Sequence, residues 1–383
     1  MINFNDKDFL INPYPELAKL RAIGKPIWHE ETQMYLAARY EDANATLRNK
    51  SLGRIFRAKE PESEWSTFNW LHADSILDSE PPKHTRLRSL VAKAFNKNII
   101  ESQREIINKI VDDLINGIKN KNGNFDLIAD FAEPLPVKVI VAMLGFPEEE
   151  EYLLRPWSQA IVKMYEVNPT PEVQAAAKKA AAEFADYVQN LADQRKEKPG
   201  NDLITDLVRV EEAGEKLNAH ELVATCVLLL NAGHEASVNG FGNGMVALLE
   251  RDDQFKLLRD NPDTLGVTAV EEFLRFDAPL HLFERTATAD TEIGGVEIKQ
   301  GQKIAALLGS ANRDEAHFSN ADQMDITRDP NPHIGFGAGI HFCLGGPLAR
   351  LEMGIALPHL IKAFPDMKIA SDPIRRPTFV LRG

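Results

Sequence analysis

Cys343 is one of two cysteines in the chain, and it lies in Phe336-Gly337-Ala338-Gly339-Ile340-His341-Phe342-Cys343-Leu344-Gly345-Gly346. A single sulfur framed by glycines, just ahead of a predicted helix opening near Pro347, suits a thiolate presented to a metal. Glycine lets the backbone approach a flat ligand and take φ values closed to other residues. The positive end of the following helix favours the sulfur anion over the thiol. Cys226 offers the contrast. It sits in Val223-Ala224-Thr225-Cys226-Val227-Leu228-Leu229-Leu230 and reads as a small buried hydrophobe.

Three other constellations could do chemistry or support it. Glu272 and Arg275 stand at i, i+3. Alone such a pair is a surface ion pair of a few tenths of a kcal/mol, about 0.3. It precedes the cysteine loop, and Asp325-Ile326-Thr327-Arg328-Asp329-Pro330-Asn331-Pro332-His333 lies between them. His84 and Arg88, four apart after Pro81-Pro82, project from one face of a helix. Ala232-Gly233-His234-Glu235-Ala236-Ser237 puts an acid and a hydroxyl inside a long apolar run. No flavin or nicotinamide fingerprint is visible, since Gly335-x-Gly337-x-Gly339 has neither the spacing nor the strand-to-helix setting of a dinucleotide loop.

The elements that must position these groups are mostly helical. Pro15–Arg21 reads as a first helix, and Tyr35–Tyr40 as a strand leading into another. Helical periodicity follows over about 100–119, 131–143, 150–166 and 172–196. Asn218-x-x-Glu221 forms a capping box opening a run to about Glu250, roughly 50 Å of helix and therefore central and buried. Gly233, Gly240, Gly242 and Gly244 predict a kink in it. Strands are expected between 285 and 308, turning at Gly294-Gly295, and the last ~20 residues, with Pro373, Pro377 and Thr378–Leu381, read as a terminal β-turn region. Hence the expected fold is mostly α with small β-sheets, in one domain.

Composition narrows the function. A net charge of −13 argues against a nucleic-acid partner. Two cysteines build no disulfide framework, which fits a reducing cytoplasm. The first residues, Met1-Ile2-Asn3-Phe4-Asn5-Asp6-Lys7-Asp8, carry no basic region ahead of an apolar stretch, so neither a signal peptide nor a membrane anchor is expected.

The spacing Phe336-x-x-Gly339-x-x-x-Cys343-x-Gly345 resembles the heme-binding loop of the cytochrome P-450 family, of the bacterial, unanchored type. The other motifs occur in that family's order, and the resemblance runs through Asn312-Arg313-Asp314 to Phe364-Pro365-Asp366. It implies a triangular, prism-like fold with a long central helix over the heme, in a single heme-binding domain spanning 1–383. It implies heme b (iron protoporphyrin IX) with Cys343 as the iron ligand and Phe336 and Gly345 shaping the loop. His84, Arg88, Arg285 and His341 match the donors to the heme propionates. Glu272, Arg275 and Arg328 match a structural set that locks the loop from behind.

The activity implied is insertion of one oxygen atom from O2 into a hydrophobic small molecule, a terpenoid, steroid or polyketide-like compound. Electrons would come from a separate ferredoxin or flavodoxin with its reductase, and Arg86, Lys93, Lys97 and Arg350 are candidate contacts for it. Glu235 matches the acid of the family's proton relay. The alcohol position holds Ala236, a departure, and Ser237 is turned about 100° away around the helix. The pocket is expected to draw on Leu229 and Ala232, on Trp65 and Phe68 in a loop between Ser51 and Asp78, on Leu282 and Phe283, and on Phe379 and Val380. Two alternatives stand beside this reading. A peroxide-driven peroxygenase is disfavoured by Glu235, where such relatives often carry arginine; a non-catalytic recruitment domain of the same fold is disfavoured by Cys343.

Overall fold

The computed structural model describes residues 2–121, 123–166, 169–212 and 214–383. Helices dominate, with three small sheets of five, two and two strands among the described residues. The capping box forms as the sequence predicts. The Asn218 side chain accepts from the Glu221 N–H (2.9 Å) and the Glu221 carboxylate from the Asn218 N–H (3.0 Å). From there one unbroken α-helix runs Ala219–Leu249. Its glycines are packing notches, not breaks. A Cβ at Gly244 would lie 2.0 Å from the Phe273 ring, and one at Gly233 2.5 Å from Ile140 Cδ1. At these two positions the missing side chains admit close approach of neighbours. No described helix is long and apolar enough to cross a membrane.

The chain divides into two compact units, each built from non-consecutive segments. One comprises Met1–Gly53, Leu114–Ala132 and Ala236–Gly383, the other Arg54–Asp113 and Glu133–Glu235. The first holds the five-stranded sheet, in the order Ile27–His29, Met34–Ala37, Lys303–Leu307, Leu282–Ala287, Leu52–Gly53. Met34–Ala37 runs parallel to Lys303–Leu307 and the other pairs are antiparallel. Arg285 stands opposite Ile304, and Phe283 opposite Ala306. The hairpin expected at Gly294-Gly295 joins Thr291–Ile293 to Val296–Ile298, with both glycines at positive φ (55° and 76°). The terminal segment expected as a β-turn region carries bends and one bridge, Leu381 to Leu280.

The second unit is helical apart from one short hairpin. Pro171–Glu197 packs on Glu151–Val162 and on Glu62–Ala73, burying Ala177, Ala181, Phe184 and Val188 along one stripe. Two expectations need correcting here. The stretch read as a loop between Ser51 and Asp78 contains the helix Glu62–Ala73. The stretch read as one helix over about 100–119 is two, Lys97–Ser102 and Arg104–Lys119, which meet at Gln103.

Candidate functional site

The cysteine loop is held by its backbone. The Cys343 N–H donates to the Phe336 carbonyl (3.0 Å), closing the segment on itself. Gly339 has φ 72°, and a Cβ there would lie 2.4 Å from the Leu47 carbonyl oxygen, so only glycine lets the loop settle on that helix end. The helix Gly346–Ala363 follows with a proline in its first turn. Cys343 and Gly345 are half-buried, whereas Cys226 is fully buried, its thiol pushed up to about 12 by burial. Cys226 is thus the small buried hydrophobe expected of it.

Glu272, Arg275 and Arg328 come together as expected. Arg275 donates to both carboxylate oxygens of Glu272 (2.8 Å each), and both side chains are fully buried. The rest of the Arg275 guanidinium is satisfied by the carbonyls of Asn312 (2.8 Å), Ala321 (2.7 Å) and Gln323 (3.0 Å). Arg328 Nε reaches Glu272 at 3.3 Å. Two further donors were not anticipated: the Asp325 N–H (2.8 Å) and Asn331 Nδ2 (3.0 Å) also bond Glu272. The carboxylate thus organises the segment leading into the cysteine loop. A buried charge met by this many donors is stabilised where an unpaired one would not be.

A second network lies one residue away and was missed. Glu271 accepts from Arg350 Nε (2.6 Å) and Nη2 (2.9 Å) and from His333 Nε2 (3.0 Å). The Gly335 N–H donates to His333 Nδ1 (3.1 Å), which assigns the imidazole proton to Nε2. Arg350 lies over the Phe336 ring, 4.4 Å from its centroid, and the Phe336 carbonyl is the one that holds Cys343. Burial works against the Glu271 charge, but the hydrogen bonds from His333 and Arg350 outweigh it and hold the carboxyl down at about 2. Arg350 is therefore committed to Glu271, which corrects its reading as a free contact for an electron donor. Only the adjacent Glu271-Glu272 pair hinted at this in the sequence.

The remaining predicted residues divide between the units. Arg285 is buried in the strand Leu282–Ala287 and His341 sits in the loop, both in the unit that holds Cys343. His84 is buried and Arg88 half-buried on the helix Lys83–Ala94 in the other unit. Arg86, expected as a contact for the electron donor, bonds the buried Glu221. Trp65 and Phe68 are buried edge-to-face at 5.2 Å, with Lys178 over the Trp65 ring. Phe379 nests among Phe4, Phe9 and His281, at 5.0–5.2 Å between centroids, so its ring belongs to that aromatic packing. Leu282 is buried, Phe283 half-buried and Val380 buried.

On the long helix, His234 and Glu235 are buried, but Leu229, Ala232, Gly233, Ala236 and Ser237 are not. Positions 229, 232, 233 and 236 follow the helical repeat and make one accessible stripe along a mostly buried element.

These residues fit a heme. Among the described residues no cluster of three or more His, Cys, Asp or Glu could hold a bare metal ion. A lone thiol here binds iron only if the other ligands arrive with it, as the ring nitrogens of a porphyrin do. The glycine-opened loop, with the Arg285 guanidinium and the His341 imidazole in the same unit, suits that flat, dianionic ligand.

Comparison with known proteins agrees. The cytochrome P-450 family model matches residues 26–266 and 267–376. Nocardicin C N-oxygenase of Nocardia uniformis subsp. tsuyamanensis is 39% identical over 90% of this chain and 85% of its own. The biotin biosynthesis cytochrome P-450 of Bacillus subtilis is 36% identical over 98% and 95%. A solved structure of the BioI cytochrome P-450, in complex with hexadec-9Z-enoic acid-ligated acyl carrier protein, superposes with a TM-score of 0.93 at 35% identity, covering 98% of this chain and 96% of that one. The Bacillus subtilis cytochrome P-450 PksS, of the bacillaene polyketide synthase, superposes at 0.91 and 36% identity over 100% and 97%. The chain belongs to the cytochrome P-450 family. It is accordingly a heme b-dependent oxidoreductase of the monooxygenase kind, with the mostly α fold expected of it.

Proposed function

We propose that the protein inserts one oxygen atom from O2 into a hydrophobic small molecule of terpenoid, steroid or polyketide type, using electrons from a separate ferredoxin or flavodoxin and its reductase. Cys343 would hold the heme iron, Phe336 and Gly345 would shape its loop, and His84, Arg88, Arg285 and His341 would be the donors to the propionates. Bound heme supplies the oxygen-splitting chemistry. The observation that carries the reading is the half-buried Cys343, its backbone N–H tied to the Phe336 carbonyl, together with the buried Glu272–Arg275 pair.

The chain's own residues then have distinct tasks. The Glu235 carboxyl takes up and delivers protons from within the buried part of the long helix. Ala236 has no hydroxyl, and Ser237 points elsewhere around the axis, so a substrate hydroxyl or an ordered water completes the relay. Leu229 and Ala232, on the accessible stripe of the long helix, and Leu282, Phe283 and Val380 are the apolar residues for meeting substrate and excluding water. Trp65 and Phe68 anchor the segment that covers the substrate. Lys93 and Lys97, exposed on the second unit, are the contacts for an acidic electron donor.

The whole chain works as one heme-binding domain in a reducing cytoplasm, free of membrane and nucleic acid; the interleaving of the two units along the sequence supports the single domain. The test is turnover of hydrophobic substrates with ferredoxin, its reductase and reduced nicotinamide, set against turnover with hydrogen peroxide alone. Efficient product formation only in the first is expected. Equal or better turnover with peroxide would replace this reading by a peroxygenase.

A further inference from the structure

Asp277 closes the helix Pro262–Phe276, is 4% exposed, and gathers an unusual set of donors. Its carboxylate accepts from Tyr14 Oη (2.6 Å), Arg382 Nε (2.8 Å) and Arg375 Nη2 (2.9 Å). Burial opposes its charge, yet Arg382 and Arg375 overcome that and hold the carboxyl well below the usual carboxylate range. The two arginines bracket residues 375–382, so one carboxylate grips both ends of a short segment. Arg382 extends the grip to the carbonyls of Leu10 (2.7 Å) and Ile11 (2.8 Å). Asn243 on the long helix joins it, donating to the Arg382 carbonyl (3.0 Å) and accepting from Arg375.

What this grip presents is a specific backbone pairing. The His281 N–H donates to the Val380 carbonyl and the Arg382 N–H to the Pro279 carbonyl, both at 3.0 Å, and Leu280 bridges to Leu381. The turn 279–282, which begins two residues after Asp277, and the segment 380–382 are thereby held together. His281 is fully buried over Gly309, where an added Cβ would come within 2.5 Å of the ring. Burial and the Arg382 charge push its imidazole down to about 3, so it stays neutral and does not compete with the arginines for Asp277.

We propose that Asp277 is a positioning residue for substrate selection: by holding Arg375 and Arg382 it fixes Val380 and Leu381 against Leu280–Leu282 and so limits the width of ligand admitted there. This rests on the reading of Leu282, Phe283 and Val380 as pocket residues. Bulky ligands sense the spacing of those side chains and slim ones do not.

The experiment uses heme-loaded protein and two iron-binding probes, imidazole and 4-phenylimidazole, titrated by the Soret shift. In Asp277→Asn the affinity for 4-phenylimidazole is expected to change by about fivefold or more, and that for imidazole by less than about twofold. The reduced, CO-bound spectrum should be unchanged. Arg375→Gln removes one grip and leaves the other; the same ratio of affinities should move there, by about two- to threefold, even where the first variant does not fold. Equal shifts for both probes, or none alongside a lowered melting temperature, would make Asp277 merely structural and overturn the inference alone. A wild-type protein without a heme–thiolate spectrum would overturn the underlying reading, and the inference with it.

Discussion

Glu272 illustrates how much chemistry a single carboxylate organises. It accepts from Arg275, Arg328, Asn331 and the Asp325 backbone, all inside the protein. Removing its charge leaves Arg275 buried without a counter-ion, so Glu272→Gln is expected to cost about 3–5 kcal/mol, read by chemical denaturation, and to lower heme retention on purification. The arginines were legible because their spacing relative to Cys343 matches a family pattern. Asn331 and the Asp325 N–H were not, because a side-chain amide or a backbone donor in an irregular segment leaves no periodic trace. Ala236 is the residue where the chain departs from that pattern. In Ala236→Thr the supplied hydroxyl should raise product formed per nicotinamide consumed for substrates lacking a hydroxyl, and do little for hydroxylated ones. Unchanged coupling for both classes would remove substrate-assisted proton delivery from the account.

Elements add constraints that residue types conceal. The glycines of the long helix read as a kink in sequence, since missing side chains are visible there but the groups that fill the space are not. Phe273 occupies the notch at Gly244, at 2.0 Å from where a Cβ would sit. Gly244→Ala is therefore expected to destabilise by about 3 kcal/mol through overpacking, despite alanine's better helix propensity, as a denaturant titration would reveal. The Glu271 network joins three elements, the helix Pro262–Phe276, the segment around His333 and the helix Gly346–Ala363. Its carboxyl falls from an ordinary 4.5 to about 2 on folding, with burial opposing and His333 and Arg350 prevailing. A depressed carboxyl pKa stabilises the fold above the unfolded value and loses that contribution as pH falls through the folded one. The stability gap between wild type and Glu271→Gln should hence be constant above about pH 5 and close between 4.5 and about 2. A gap independent of pH would show that charge is not what Glu271 contributes.

At the scale of the whole molecule, the chain passes back and forth between two units, and the long helix belongs to both, dividing between Glu235 and Ala236. Helix positions, the sheet hairpin and the mostly α class were legible from periodicity and turn residues. The division was not, because it depends on which distant segments meet, and no linker composition marks it. The proposed function depends on the sulfur at Cys343. The most direct measurement is the CO difference spectrum of reduced protein, wild type beside Cys343→Ser. Wild type is expected to give the red-shifted band for which the family is named, and the variant to lack it whether or not it retains heme. The same red-shifted band in the serine variant would contradict the assignment of the iron ligand and everything built on it.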